Sequence, residues 1–184
     1  REIWDVDKHL RSKQPWDKLH DNEKSALVKY SMGSGDVADE LINAHKSKLE
    51  PKGMIGNIHL ASLDAATHKF ELPKMTTFSG VKFHPGELTK NSNGVFHSPA
   101  LISSSIDPDV ANMFSKTLGE SHILRIHVPE GHHGLYFGND LNRSSMPSEH
   151  ELLLPRGAYF KVNPTPTSFT HNSPAVTKHL WDAH

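Results

Sequence analysis

The chain contains no cysteine, which excludes disulfides and thiolate-bound zinc alike. Net charge is almost absent: 20 Lys and Arg against 21 Asp and Glu leave −1, and the pI is near 7.0. There is accordingly no global basic field of the kind that nucleic acid selects, and no direct nucleic-acid binding is expected. No apolar run approaches the ~18 residues of a membrane span. Histidine is plentiful at 15 but scattered, with His132-His133 the only adjacent pair. No His-x-x-x-His falls on a helix beside an acid, so no metal site is expected. The chain opens at Arg1 without an initiator Met or a signal-peptide pattern, as a fragment cut from a longer protein would.

What is present suits one globular domain over residues 1–184. Hydrophobic residues make up 35% of the 184, enough for a real core at a length typical of single domains. Trp4, Leu10 and Trp16 are expected to anchor an N-terminal helical segment. Asp21 is read as the N-cap of a second helix with Ala26, Leu27 and Tyr30 on its apolar side. A break from Ser31 to Gly35 separates it from a helix beginning at Asp36 and closed by Pro51-Lys52-Gly53, and a further helical stretch covers Ile55 to Phe70 with Leu60, Leu63 and Ala66 inward.

After Pro73 the pattern becomes extended. Strands are expected over Met75 to Phe83, in Val95 to Ile106 around Pro99, over His122 to Val128, at Leu135-Tyr136-Phe137, and at Leu152 to Leu154 and Ala158 to Val162. Asp107-Pro108-Asp109 caps a short helix from Val110 to Lys116. The Pro/Thr/Ser-rich stretch from Asn163 to Pro174 is expected to wrap the surface. Helices followed by strands indicate an α+β fold with a mainly antiparallel sheet.

Two clusters suggest chemistry. Ser148-Glu149-His150-Glu151 runs into the buried strand Leu152 to Leu154, which Pro155-Arg156-Gly157 ends. Residues two apart on an extended chain project to the same side, so Glu149 and Glu151 are expected to share a face about 7 Å apart with His150 opposite, a pairing that suits positive charge developing between them. The competing role is a solvated strand edge that blocks unwanted pairing. In Ser103-Ser104-Ser105, three hydroxyls at the end of an apolar strand could hold a carboxylate or a ribose; the competing role is turn chemistry before the helix.

Together these clusters resemble the mono-ADP-ribosyltransferases of the arginine-, serine- and glutamate-motif class, which include binary toxins and bacteriophage enzymes. Ser103 to Ala111 is similar to the family's Ser-Thr-Ser motif and the helix behind it; Ser148 to Gly157 with Tyr159-Phe160-Lys161-Val162 is similar to its Glu-x-Glu block. Ala26 to Tyr30 and Ile42-Asn43 echo its N-terminal half, and the likeness spans about residues 25 to 163. One motif departs: in Thr77-Phe78-Ser79-Gly80-Val81, Ser79 stands where the family has an Arg that grips the cofactor, with Lys82, Lys116, Arg125 or Arg143 as candidate substitutes. Met146-Pro147 also replaces an aromatic found in many relatives.

The resemblance implies an α+β fold of N-terminal helices followed by a mainly antiparallel two-sheet β core, and NAD as substrate. It implies that Glu151 holds the ribose and stabilises its developing charge, that Ser103 orients Glu151, and that Glu149 receives an arginine acceptor, a Gln at that position going with other acceptors. Ser79, Gly80, Ser104, Ser105, Phe114 and Lys116 are the implied cofactor contacts. The bland alternatives are a strand bulge for Gly80, a buried helix residue for Phe114 and a solvated helix end for Lys116. The implied partner is a host protein bearing the target arginine, with RNA polymerase, translation components or actin as candidates, reached in the cytoplasm of a host cell after delivery by a virion or as a toxin. A noncatalytic binding module that lost its grip on the cofactor, or an NAD glycohydrolase, is the alternative.

Overall fold

The computed structural model describes residues 2–30, 60–81, 85, 93–114, 120–137, 149–171 and 173–183. The expected helix from Asp36, with the turns on either side of it, lies outside these residues. Helix α1 (Glu2–Lys13) ends with Arg11 and Lys13 in its last turn, where the helix dipole favours cations. It buries Leu10, while Trp4 is 55% exposed, so Trp4 does not anchor the helix in the core as expected. Residues 21–30 form α2. Its N-cap is His20 rather than Asp21: the His20 carbonyl accepts the first helical bond from Lys24 N–H, and Glu23 reaches back to the His20 N–H at 2.7 Å, which is the acid half of a capping box. Helix α3 is Leu60–Thr67 and α4 is Pro108–Phe114. Asp107 caps α4 through Asp109 N–H.

The strands are β1 (Met75–Val81), β2 (Val95–His97), β3 (Ile102–Ser105), β4 (Glu120–Val128), β5 (Leu135–Tyr136), β6 (Glu151–Leu154), β7 (Tyr159–Lys161), β8 (Thr167–His171) and β9 (Ser173–Ala183). Seven of them make one sheet in the order β5-β6-β3-β1-β4-β9-β8, and β2 pairs with β7 in a second. Every pairing is antiparallel except β4 with β9. The stretch from Asn163 to Pro174 therefore does not simply wrap the surface. Thr167–His171 within it is strand β8, which joins the sheet through β9, and Ser173-Pro174 begins β9 itself.

Alternation along the strands sorts the core into two layers. Leu135 and Leu153 face α2 and α3, where Ala26, Leu27, Tyr30, Leu63 and Ala66 cover them. Ile102, Leu124, Ile126, Leu152 and Leu154 face the other way, against Leu10 of α1 and Phe160 of β7. Gly157 takes φ +85 in the turn after β6, a conformation open to glycine without strain. Arg156 in that turn grips Asp64 of α3 with a bidentate pair at 2.8–3.0 Å, which ties the end of β6 to the helical layer.

Candidate active site

Strands β3 and β6 pair with Ser105 opposite Glu151 and Ser103 opposite Leu153. Residues directly opposite share a face, so Ser103, Ser105 and Glu151 all point toward the α2 side. Phe78 of β1 sits opposite Ser105, which brings Phe78, and Gly80 two residues on, to the same face. Glu151 is not the solvated edge residue that its position at a strand entrance would suggest: it is only 8% exposed. One of its oxygens, Oε2, is buried with no hydrogen-bond partner among the described residues.

A line of hydroxyls supports that carboxylate. Ser103 hydrogen-bonds Glu151, and Tyr30 Oη lies 3.1 Å from Ser103 Oγ. When Glu151 is ionised it can only accept, so Ser103 donates to it and Tyr30 donates to Ser103. Burial pushes the Glu151 carboxyl up to about 7; Ser103 opposes the shift and the charge of Glu149 adds to it. Burial also raises the Tyr30 phenol, against the bond from Ser103 and with a further push from Glu151. Its spacing in the sequence marks Tyr30 only as an apolar helix residue; an aromatic hydroxyl on the inward face of α2 is the one sign there of its second role.

Glu149 departs from the extended geometry expected for it. Strand β6 begins at Glu151, and His150 adopts φ +47, so the chain kinks between the two acids and Glu149 leaves the strand. Positive φ strains a residue with a side chain, and three contacts hold it. Ser105 Oγ donates to the Glu149 carbonyl at 2.6 Å, Ile106 N–H donates to the His150 carbonyl at 3.3 Å, and Phe137 N–H donates to the Glu151 carbonyl at 2.9 Å. Glu149 is partly buried, which raises its pKa by desolvation.

The other serines have structural partners. Ser104 points to the opposite face, accepting from Thr77 Oγ1 at 2.6 Å and donating to the Leu152 carbonyl at 2.7 Å. Ser79, adjacent to Phe78 on β1, is also turned from the Phe78 face and donates to the Ser103 carbonyl at 3.0 Å. Ser104 and Ser79 thus tie β1, β3 and β6 together, because strand alternation sets them on the face of the sheet opposite Glu151. Ser105 faces the site but holds its loop, also accepting from Asp107 N–H. Among the candidate substitutes for the missing Arg, Arg125 is held by a bidentate pair with Asp182, which also contacts His127. These partners keep the Asp182 carboxyl low, at about 2. Lys82, Lys116 and Arg143 and the side chain of Phe114 lie outside the described residues.

The sequence from residue 8 to 183 matches the ADP-ribosyltransferase exoenzyme family. Among curated proteins no sequence matches. Solved structures share the fold: C3stau2 from S. aureus with NAD, at 14% identity over 100% of this chain and 94% of that one with a TM-score of 0.69, and the Clostridium limosum C3 exoenzyme, at 17% over 99% and 94% with a TM-score of 0.71. The Vis ADP-ribosyltransferase in complex with agmatine also matches, at 21% identity over 100% of this chain and 86% of that one with a TM-score of 0.64.

Proposed function

The chain belongs to the ADP-ribosyltransferase exoenzyme family, and from that premise we propose that it moves ADP-ribose from NAD to the guanidinium of an arginine on a host protein and releases nicotinamide. The observation that carries this reading is the buried Glu151 carboxylate, backed by Ser103 and Tyr30, with an oxygen that has no partner among the described residues. That oxygen suits a ribose 2′-hydroxyl, and the carboxylate is a fixed negative charge in a site of low dielectric.

Cleavage of the C1′–N bond of NAD sends the bonding electrons to nicotinamide, which departs neutral. No acid or base is needed to start it; the demand is for anionic charge beside the ribose as it becomes positive. Glu151 meets that demand, and Ser103 holds one of its oxygens so that the other faces the sugar. The positive nicotinamide ring of the substrate favours the ionised form of a carboxyl whose pKa burial has raised. Glu149 then binds the acceptor guanidinium and takes its proton as the new C1′–N bond forms. The Vis transferase in complex with agmatine, a guanidine compound, supports a guanidinium acceptor.

The Glu151→Gln variant is expected to lose both nicotinamide release and transfer, and Glu149→Gln to lose transfer to agmatine while keeping NAD breakdown. Mass spectrometry of NAD and agmatine mixtures reads both; equal loss in both variants would contradict the roles assigned. A second reading, a binding module or an NAD glycohydrolase, is favoured by Ser79 standing where the family has Arg and by Arg125 being committed to Asp182. Nicotinamide release without labelled acceptor, from agmatine or a host lysate, would select the glycohydrolase; no release at all would select the binding module.

A further inference from the structure

Behind the two acids, on the face of the sheet away from Glu151, lies a buried polar group with no part in the chemistry above. Asp7 of α1 is 1% exposed, Tyr136 of β5 is 0% and His150 is 7%. The Tyr136 hydroxyl donates to Asp7 Oδ1 at 2.5 Å and lies 3.3 Å from His150 Nδ1, which is itself 3.7 Å from Asp7 Oδ1. Arg11 donates to the other Asp7 oxygen at 3.0 Å, and Trp4 meets the His150 ring edge to face at 5.2 Å. Gln14, the residue directly after α1, donates to the Gly134 carbonyl and accepts from Tyr136 N–H, fixing α1 to β5.

A core that needed only packing would fill this position with apolar side chains, since a buried charged group costs stability unless it is paired. Here the polar group converges on His150, which among the described residues of the site is the one non-glycine at positive φ, and that residue separates the two glutamates. The contacts from β3 fix the carbonyls of Glu149 and His150; the contacts from α1 and β5 fix the ring between them.

We propose that Asp7 and Tyr136, acting through His150, are positioning residues that set Glu149 relative to Glu151 and so decide whether the ribose is captured by the acceptor or by water. This rests on the arginine-transfer reading above. After the C1′–N bond to nicotinamide breaks, one of two bonds replaces it. The acceptor nitrogen attacks C1′ and its proton passes to Glu149, or a water oxygen attacks and releases its proton to solvent. Only the first route depends on where Glu149 stands, and a displacement of about 1 Å at such a group costs roughly 100-fold in rate.

The test measures agmatine labelling and free ADP-ribose in the same reaction, with NAD affinity measured separately by fluorescence quenching. Tyr136→Phe removes the shared hydroxyl without changing shape, and His150→Gly keeps positive φ available while removing the ring. Both are expected to lower the ratio of labelled agmatine to free ADP-ribose by about 10-fold or more with NAD affinity maintained. Asp7→Ala, which removes the acceptor of the Tyr136 hydroxyl, is expected to lower the ratio to a similar extent. Because the ratio is internal to the folded molecules, partial unfolding of a variant scales both products and leaves it unmoved. An unaltered ratio in Tyr136→Phe, His150→Gly and Asp7→Ala would overturn the proposal alone. An unaltered chain that releases nicotinamide but never labels agmatine would sink the arginine reading and this one with it.

Discussion

Replacing Glu151 with Gln separates what its carboxylate does for chemistry from what it costs the fold. The ordinary carboxyl value is 4.5, and burial raises it in the native state to about 7. Between those values the native chain holds a proton that the unfolded chain has released, so stability falls as pH rises through that window. The full difference corresponds to about 3 kcal/mol once both states are ionised, with little solvent screening because Glu151 is 8% exposed. Gln has the same shape, can still accept from Ser103, and never ionises. At pH 4, where Glu151 is protonated in the native chain and mostly so in the unfolded one, the two proteins should be nearly equally stable. At pH 8.5 the Gln variant should be the more stable by about 3 kcal/mol, or roughly 6–12 °C in Tm for a chain of this size. Calorimetric melting of both proteins at the two pH values reads the difference, in which titrating groups that do not interact with Glu151 cancel. A Tm difference that does not change with pH, or a Gln variant less stable at pH 8.5, would refute the claim that the site holds a strained anion.

Other outcomes follow from single contacts. Ser103→Ala removes the hydroxyl between Tyr30 and Glu151 and should slow nicotinamide release by roughly 10- to 100-fold, the worth of a hydrogen bond to a charged group, with NAD affinity little altered in a binding titration. Leu27→Ala opens a hole in the layer between α2 and the sheet and should cost about 2–5 kcal/mol in urea unfolding. Asp182→Asn removes a depressed carboxyl; its native value near 2 lies below the ordinary 3.8, so its contribution is complete above pH 4 and is lost as pH falls through 2. The variant should therefore melt below the unaltered chain at pH 6, and the gap should close in acid.

Much of the site could be read from residue order because local rules govern it. The apolar run of Leu152 to Leu154 and the turn at Gly157 formed as expected, since burial pattern and positive φ are properties of neighbours in sequence. The α+β architecture was legible for the same reason, the helical spacing giving way to extended runs after Pro73. What was hidden depends on distant pairing. Strand β9 lies beside β4, and that pairing draws in β8 from a segment whose Pro, Thr and Ser content reads as loop. The kink at His150 contains no glycine to announce it and is braced by Asp7, which lies far off in sequence. Its consequence was that the extended spacing expected for Glu149 and Glu151 did not hold. The register of β1 and β3, likewise set by distant pairing, decides that Ser79 and Ser104 lie on the face opposite Glu151.

The most direct measurement of the central claim is the pH dependence of kcat/KM for nicotinamide release from NAD, which reports the ionisation of the free enzyme. If the ionised Glu151 stabilises the departing bond's positive charge, the rate rises through pH values near 7 and then levels, and Glu151→Gln has no such rise because it has no activity to titrate. A rate that stays flat from acid to alkaline pH, or that survives in Glu151→Gln, would contradict it.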